Sequence, residues 1–221
     1  MAVAGLALLV WSGVVWKWGD PITSLYTSWE QRKLDDELAQ LIAARPASPP
    51  VVAGKPQAPQ DLARRVREDA MRFRESVAPG SAIGRLEVPR LGVDMVVVEG
   101  TGTDDLKRGP GRDPRTSMPG EGRLVYIAGH RTTYSAPFAH IDRLEPGDRV
   151  RLELPYATGV YAGTHHRIVD DQDLSVLRSG ASEEIALQAC HPRFFASQRY
   201  IVWARPIEIT PRGGEAFRPS G

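Results

Sequence analysis

The chain has 221 residues, of which 42% are apolar, and its formal net charge is +1. This length allows one sizeable domain with additional segments. The near-neutral charge excludes the strongly basic class of nucleic-acid-binding proteins, so no nucleic acid is expected as a partner. A single cysteine, Cys190, excludes an internal disulfide. The 21 glycines and 18 prolines favour an all-β domain with many turns over a helical bundle.

The first 19 residues are predicted to anchor the chain in a membrane. Residues 2–16 carry no charge, and Trp11, Trp16 and Trp18 cluster towards one end, as interfacial anchors do. The apolar run is shorter than the roughly 20 residues of a spanning helix, so we expect an N-terminal anchor (residues 1–19) whose first residues are missing from this chain. A buried helix and a cleaved signal peptide are the alternatives.

Two helices separated by a linker are predicted next. From Trp29 to Ala44, apolar residues recur at helical spacing, at Leu34, Leu38, Leu41 and Ile42. Residues 45–60 contain five prolines and read as an extended linker. A second helix is predicted from Asp61 to Val77, with an apolar stripe formed by Leu62, Val66, Ala70 and Phe73. We assign residues 20–79 to a helical, proline-rich, membrane-proximal region. Deletion of residues 1–77 is expected to leave the rest of the chain folded and soluble.

From about Gly80 the sequence changes to short, strand-like runs. They cover residues 82–88, 91–99, 124–129, 148–154, 159–169, 184–189 and 200–205, the last of which continues to 209 as the same strand or another. A short helical stretch is predicted around residues 136–141. Seven or eight strands predict an all-β fold, a closed barrel or a sandwich, at residues 80–210. Residues 211–221 are assigned to a C-terminal tail.

Three residues at the ends of these runs are candidates for covalent catalysis. Cys190 ends one run, His130 follows another, and Arg199 comes nine residues after the cysteine. Attack of a thiolate on a carbonyl needs a proton donor for the leaving amine and charge compensation for the oxyanion. His130 and Arg199 are candidates for these two roles. The alternative is a buried, inert cysteine that packs as a small hydrophobic residue.

Neighbours of these residues are candidates for contact with a substrate: Arg131, Thr132, Ala189 and His191. The remaining histidines favour surface or packing roles. His165 and His166 are adjacent, so in a strand they face opposite sides and do not readily bind one metal ion together. No metal site and no cofactor are therefore expected.

Two segments resemble the histidine and cysteine segments of sortases, the transpeptidases of Gram-positive cell surfaces: AGHRTTYSAPFAHIDRLEPGDRV and LQACHPRFFASQRYIVWA. They most resemble class E sortases of actinobacteria, whose membrane-proximal part is similar to WKWGDPITSLYTSWEQRKL. The resemblance implies a closed, eight-stranded sortase-type barrel preceded by N-terminal helices. It also implies a catalytic triad of His130, Cys190 and Arg199.

The chain departs from the family's motifs at two places. The usual TLxTC signature reads ALQAC, so Ala186 and Ala189 replace both threonines, and backbone N–H groups would have to support the oxyanion. Where relatives often have GPGHYP, this chain has Gly109 to Pro114, which reads GPGRDP. An aromatic side chain near the substrate groove is therefore missing at this position.

The resemblance implies a mechanism and a location. Cys190 would attack the Thr–Gly carbonyl of an LAxTG-like or LPxTG-like sorting signal near the C-terminus of a surface protein, and His130 would protonate the leaving glycine. An amine of a lipid II-like peptidoglycan precursor would then release the product from the thioacyl enzyme. The enzyme would be held in the cell membrane with its catalytic domain outside. Two alternatives remain open: a pilin-polymerising sortase, and a non-catalytic sortase-like barrel that only binds signals or wall polymers.

Overall fold

The computed structural model describes residues 21–44 and 58–219, so the predicted anchor and most of the predicted linker lie outside the described residues. The described residues form three α-helices: α1 at Pro21–Ala44, α2 at Pro59–Ser76 and α3 at Thr103–Arg108. The first two confirm the predicted helices, although α1 begins earlier than its apolar spacing indicated. None of these helices is long and apolar enough to cross a bilayer.

Eight strands close into a barrel. They are β1 at Ala82–Val88, β2 at Val93–Glu99, β3 at Gly111–Arg112, β4 at Leu124–Ala128, β5 at Arg149–Glu153, β6 at Ala157–Asp170, β7 at Glu184–His191 and β8 at Gln198–Pro211. Their order around the barrel is β1-β2-β3-β4-β7-β8-β6-β5, and pairing of β5 with β1 closes it. The predicted all-β barrel is confirmed, and the last run forms one long strand. A 3-10 turn at Ile141–Arg143 lies at the end of the predicted helical stretch.

Side chains of each strand alternate between the barrel interior and its outer face. In β7, Ile185, Leu187 and Ala189 belong to the interior cluster. Ala186 belongs instead to a cluster on the outer face, together with Tyr126 and Trp203. Because successive side chains of a strand point to opposite faces, Cys190 lies on the outer face, on the same side as Ala186.

Helix α2 is part of the barrel core. Its buried residues Leu62, Val66, Ala70 and Phe73 join the cluster that fills the barrel. The rings of Phe73 and Tyr156 lie 5.6 Å apart, centroid to centroid. The boundary predicted at residue 80 therefore cuts through one hydrophobic core. The structure argues against the expectation that the barrel folds without the preceding helices, because their removal would expose the apolar surface that α2 covers.

Helix α1 lies along the outer face of β1 and β2. Leu34 and Leu38 are buried against Ala82, Val96 and Val98. Gln31 accepts from the backbone N–H of Val96 (2.7 Å) and donates to the carbonyl oxygens of Val96 (3.0 Å) and Arg108 (2.8 Å). The helix is thus fixed to the barrel by both apolar and polar contacts.

A buried ion pair lies within the GPGRDP segment, for which relatives often have GPGHYP. Arg112 is 1% exposed and pairs with the buried carboxylate of Glu99. Its Nη1 also donates to the carbonyl oxygen of Thr116 at 2.6 Å. Burying a charge is costly unless it is paired and hydrogen-bonded. Arg112 therefore connects β2, β3 and the following turn inside the protein, and its side chain does not lie in a surface groove.

Candidate active site

The register of two parallel strands places His130 beside Cys190. Residues of β7 pair with residues of β4 in constant register, from Leu124 with Glu184 to Ala128 with Gln188. The backbone N–H of Gly129 continues this pattern by donating to the carbonyl oxygen of Gln188 at 3.0 Å. His130 and Cys190 have the same separation in sequence as these pairs. They therefore lie next to each other where the two strands end.

The register of the antiparallel pair β7–β8 places Arg199 on the other side of the cysteine. Cys190 and Arg199 are direct partners in this ladder. Directly opposite residues of an antiparallel pair lie on the same face, about 4.5–5.5 Å apart at Cβ. Three adjacent strand ends thus carry His130, Cys190 and Arg199 in a row. The structure brings together the three residues that the sequence singled out.

His130 is covered in this structure. Its Nε2 atom is buried and has no hydrogen-bond partner among the described residues. The ring of Tyr134 packs on the imidazole, with centroids 5.1 Å apart and planes inclined by 33°. Burial lowers the pKa of His130 below its ordinary value, because desolvation penalises the charged imidazolium. The covered arrangement therefore favours the neutral imidazole.

The loop that covers His130 has an unusual backbone. Tyr134, Ser135 and Ala136 have φ angles of 52°, 60° and 40°, in the left-handed region. Residues other than glycine adopt this region at a cost of about 1–2 kcal/mol each. Tertiary contacts must offset this cost. One of them comes from helix α1, where Thr23 Oγ1 accepts from the backbone N–H of Tyr134 at 2.9 Å.

Arg131 is bound within the protein. It is 6% exposed, and its Nη1 donates to the carbonyl oxygen of Cys190 at 3.2 Å and lies 2.9 Å from Nδ1 of His191. Its Nη2 pairs with Asp142 at 2.6 Å. The residue was predicted as a substrate contact from its place beside His130. In this structure its guanidinium instead ties the loop after β4 to the end of β7.

Arg199 holds the loop between β7 and β8. Its Nη1 donates to the carbonyl oxygens of Ala196 (2.7 Å) and Gln198 (2.9 Å). Its Nη2 lies 3.8 Å from a carboxylate oxygen of Asp171. The guanidinium is partly exposed, so a substrate can approach it from the outer face.

The other predicted substrate contacts differ in their placement. The side chain of Ala189 is fully buried in the barrel core, so only its backbone can face a ligand. The reason is the strand alternation, which turns Ala189 inwards where Cys190 turns outwards. Thr132 is half-buried in the loop after His130. His191 is half-buried, and its ring centroid lies 5.9 Å from that of Tyr200.

Apolar side chains surround the row of three residues. The outer-face cluster of Leu124, Tyr126, Val169, Ala186, Ile201 and Trp203 is flanked by the turn Leu174–Leu177. Phe194 and Phe195, in the loop after Cys190, are 56% and 81% exposed. Sequence reasoning missed these two residues, although their place directly after the CHPR segment could have indicated them. The six cluster residues are themselves buried, so the apolar surface open to an extended peptide in this loop comes from Phe194 and Phe195.

A cavity of about 560 Å³ lies at the opposite end of β7, between α2 and the C-terminal segment. Its walls carry arginines that already bond to other groups: Arg64 to Asp61, Arg67 to the carbonyl of Glu121, and Arg205 to Glu184. The cavity is therefore not a second candidate for the reaction. Within residues 21–44 and 58–219, no three His, Cys, Asp or Glu side chains are grouped as a metal site requires.

Comparisons with known proteins agree with this geometry. A family model described as a sortase domain matches residues 86–207. Sortase D of Bacillus subtilis is 34% identical over 132 residues, which cover 58% of this chain and 65% of that protein. Sortase SrtE1 of Streptomyces coelicolor is 31% identical over 153 residues, which cover 62% of this chain and 44% of that protein. The chain thus spans less than two thirds of the length of these curated relatives.

Solved structures show the same barrel. Sortase E1 from Streptomyces coelicolor, solved with a tripeptide in its active site, superposes with a TM-score of 0.56 at 31% identity, over 62% of this chain and 94% of that one. The Sortase D5 transpeptidase of Clostridium perfringens superposes with a TM-score of 0.62 at 23% identity, over 80% of this chain and 98% of that one. At 23% identity the second match supports the fold alone. With more than half of its residues matched by the sortase domain, the chain belongs to the sortase family.

Proposed function

We propose that this chain is a membrane-anchored cysteine transpeptidase that cleaves a sorting signal and transfers the acyl part to an amine. The observation that carries this proposal is the row of His130, Cys190 and Arg199 at three neighbouring strand ends. It supplies a thiol, a proton-transfer group and a fixed cation on one exposed face. These are the groups that acyl transfer through a thioester requires.

Each residue of the row has one role in the proposed reaction. The thiolate of Cys190 attacks the carbonyl carbon of the threonine in the Thr–Gly bond, and the carbonyl oxygen becomes an oxyanion. Arg199 and backbone N–H groups stabilise this negative charge. The C–N bond then breaks, and protonated His130 gives its proton to the departing amine of glycine. In the second half, an acceptor amine attacks the thioester carbonyl and gives a proton to His130. The new C–N bond forms, and the C–S bond breaks, which releases the Cys190 thiolate.

The proposed substrate is an LAxTG-like or LPxTG-like segment near the C-terminus of a surface protein. Its apolar residues suit the exposed side chains of Phe194 and Phe195 in the loop after Cys190. The proposed acceptor is an amine of a lipid II-like peptidoglycan precursor. Relatives named as D and E sortases match the chain at similar identity, so assignment to class E is part of the proposal.

The proposed location is the outer side of the cell membrane. Residues 1–19 would provide a single-pass anchor directly before α1. Leu25, Tyr26 and Trp29, near the start of α1, are 73%, 42% and 49% exposed. Aromatic side chains are enriched at membrane–water interfaces, where a ring can contact both regions. Their exposure next to the anchor fits a helix that begins at the membrane surface.

The test uses the full chain, a quenched peptide with an LAxTG or LPxTG signal, and an excess of triglycine. Mass spectrometry should find the threonyl–triglycine product and a thioacyl adduct on Cys190. Both should disappear in Cys190→Ala, while His130→Ala should lose the product. His140→Ala, which changes an exposed histidine of the same region, should retain it. An absence of product and of adduct with both peptides would contradict the transpeptidase proposal and favour a protein that only binds sorting signals.

A further inference from the structure

The start of helix α1 is bonded to the loop that covers His130. Thr23 Oγ1 accepts from the backbone N–H of Tyr134 at 2.9 Å, and Ser135 Oγ lies 3.5 Å from the carbonyl oxygen of Ser24, to which it donates. The rings of Tyr26 and Tyr134 meet edge to face, with centroids 6.4 Å apart and planes inclined by 76°. A segment that precedes the barrel thus contacts a loop more than a hundred residues later.

Tyr134 transmits this contact to the imidazole. Its ring packs against His130 at 5.1 Å. Nε2 of His130 is buried and has no hydrogen-bond partner among the described residues. A buried, unpartnered nitrogen is energetically unfavourable. While Nε2 stays buried it cannot exchange a proton with a substrate, so proton transfer through this nitrogen requires the loop to move.

We propose that Tyr134 is a positioning residue that keeps His130 covered, and that the start of α1 controls this cover through Thr23 and Tyr26. The proposal rests on the proposed role of His130 as the proton donor. It goes beyond that role because it assigns to helix α1, which lies outside the barrel, control over the exposure of His130. Loss of the contact releases the loop from its left-handed conformation and exposes the imidazole to water and to Cys190.

The surroundings of the imidazole fit this role. Tyr134 belongs to the same loop as His130, Tyr26 belongs to α1, and Cys190 with its partner Arg199 belongs to the neighbouring strands. Arg131, the next residue, directs its guanidinium to Cys190, His191 and Asp142. Burial, rather than any of these groups, lowers the pKa of His130. A change in cover should therefore be measurable as a change in His130 titration.

The direct test is an NMR titration of the full chain with labelled histidine, in which His130 is assigned by the loss of its signal in His130→Gln. Tyr134→Ala should raise the pKa of His130 by about half a pH unit or more, towards the ordinary value for histidine. Tyr134→Phe keeps the ring and should leave the titration unchanged. If Tyr134→Ala folds and His130 titrates as in the parent chain, Tyr134 does not cover it and the proposal is wrong.

The contribution of α1 is tested separately by a matched pair of variants. Thr23→Ala removes the acceptor for the Tyr134 N–H and should raise the pKa of His130 in the same direction. Thr23→Ser restores a hydroxyl and should restore the parent titration. This pair also decides the question if Tyr134→Ala does not fold. Equal titration of Thr23→Ala and Thr23→Ser would show that α1 does not control the cover.

Activity provides a second readout and separates the two proposals. If the reactive form pairs protonated His130 with the Cys190 thiolate, the pH profile of transpeptidation is a bell, and its height depends on the population that holds both forms. A higher pKa of His130 enlarges this population, so Tyr134→Ala should raise the maximal rate and move the limb that reports His130 to higher pH, and Tyr134→Phe should do neither. A shifted NMR titration without any transpeptidation would support the cover and contradict the proposed function. Transpeptidation with an unchanged His130 titration and an unchanged pH profile would support the proposed function and contradict the cover.

Discussion

Arg131 donates a hydrogen bond to the carbonyl oxygen of Cys190, over 3.2 Å, and so connects the residue after His130 to the backbone of the cysteine itself. The same guanidinium reaches His191 and Asp142. The relative position of the two strand ends therefore depends on a buried side chain as well as on the sheet. This relationship leads to the first prediction.

Replacing Arg131 by lysine should destabilise the protein and disturb the site. A single ammonium group cannot keep the fork of contacts that a planar guanidinium makes. Since hydrogen bonds to charged groups contribute about 1.5–3 kcal/mol, we expect a loss of about 2 kcal/mol in unfolding free energy and a lower kcat. Urea unfolding and peptide turnover measure the two effects. Arg143→Lys changes an exposed arginine of the same region and should alter both little; equal effects of the two variants would contradict the prediction.

Replacing Arg112 by methionine should be among the most destabilising changes in the barrel. Arg112 and Glu99 are both buried, so removal of the arginine leaves an unpaired carboxylate inside the protein. Breaking a buried pair in this way costs about 3–5 kcal/mol. Urea unfolding should show this loss, and the double variant Arg112→Met with Glu99→Leu should recover part of it.

The matched control for this pair lies on the surface. Arg205 pairs with Glu184 at 3.0 Å, but its side chain is 65% exposed. Exposed pairs contribute about 0.2–1 kcal/mol, so Arg205→Met should unfold almost like the parent chain. A loss in Arg112→Met no larger than that in Arg205→Met would count against a structural role for the buried pair.

Acidification should destabilise the fold through His130. Its pKa is lowered in the native state by burial, whereas in the unfolded chain it is about 6.5. Below pH 6.5 the unfolded state therefore binds more protons than the native state, until the pH passes the native pKa. Stability should rise with pH in this window and fall as pH decreases through it.

The comparison of two histidine variants isolates this effect. Urea unfolding between pH 5 and 8 should show a weaker pH dependence in His130→Gln than in the parent chain. His166→Gln removes an exposed histidine that stacks on Tyr200, and should retain the parent dependence. The same slope in His130→Gln as in the parent would show that His130 is not a source of acid sensitivity.

Replacing Phe73 by alanine should show that α2 belongs to the folding unit. Phe73 is 1% exposed and lies in the cluster that fills the barrel. Truncation of a buried phenylalanine costs about 3–5 kcal/mol. Met71 is 45% exposed on the same helix, so Met71→Ala is the control and should change stability by less than about 0.5 kcal/mol. Urea unfolding followed by circular dichroism measures the stability of both variants. Similar losses of stability in the two would place α2 outside the core.

The sequence predicted those parts of the fold that rest on local periodicity. The stripe from Leu62 to Phe73 and the alternation in β5 follow from burial of one face, which leaves a repeat in the sequence. The two-residue strand Gly111–Arg112 has no such repeat and is defined only by its partners β2 and β4. The early start of α1 was missed because Thr23 and Thr27 are held by contacts with distant residues.

For the site, the residue types were predictable and their contacts were not. Cys190 and His130 follow strand-like runs and Arg199 precedes one, so their approach at one barrel end could be expected. The inward orientation of Ala189 could also be predicted, because successive side chains of a strand alternate and a reactive Cys190 must face outwards. The bonds of Arg131 and the cover by Tyr134 depend on residues far apart in sequence, and no local pattern encodes them.

The constant register between β4 and β7 gives this architecture room to diversify. Residues 172–175 form a largely exposed turn before β7 and outside the sheet, so insertions there lengthen a surface loop and leave His130 and Cys190 in place. A single residue added within β7 before Cys190 would have a different effect, because it would rotate the thiol into the barrel. Evolution can thus reshape the surroundings of the cysteine freely, while the spacing within the strand itself must stay unchanged.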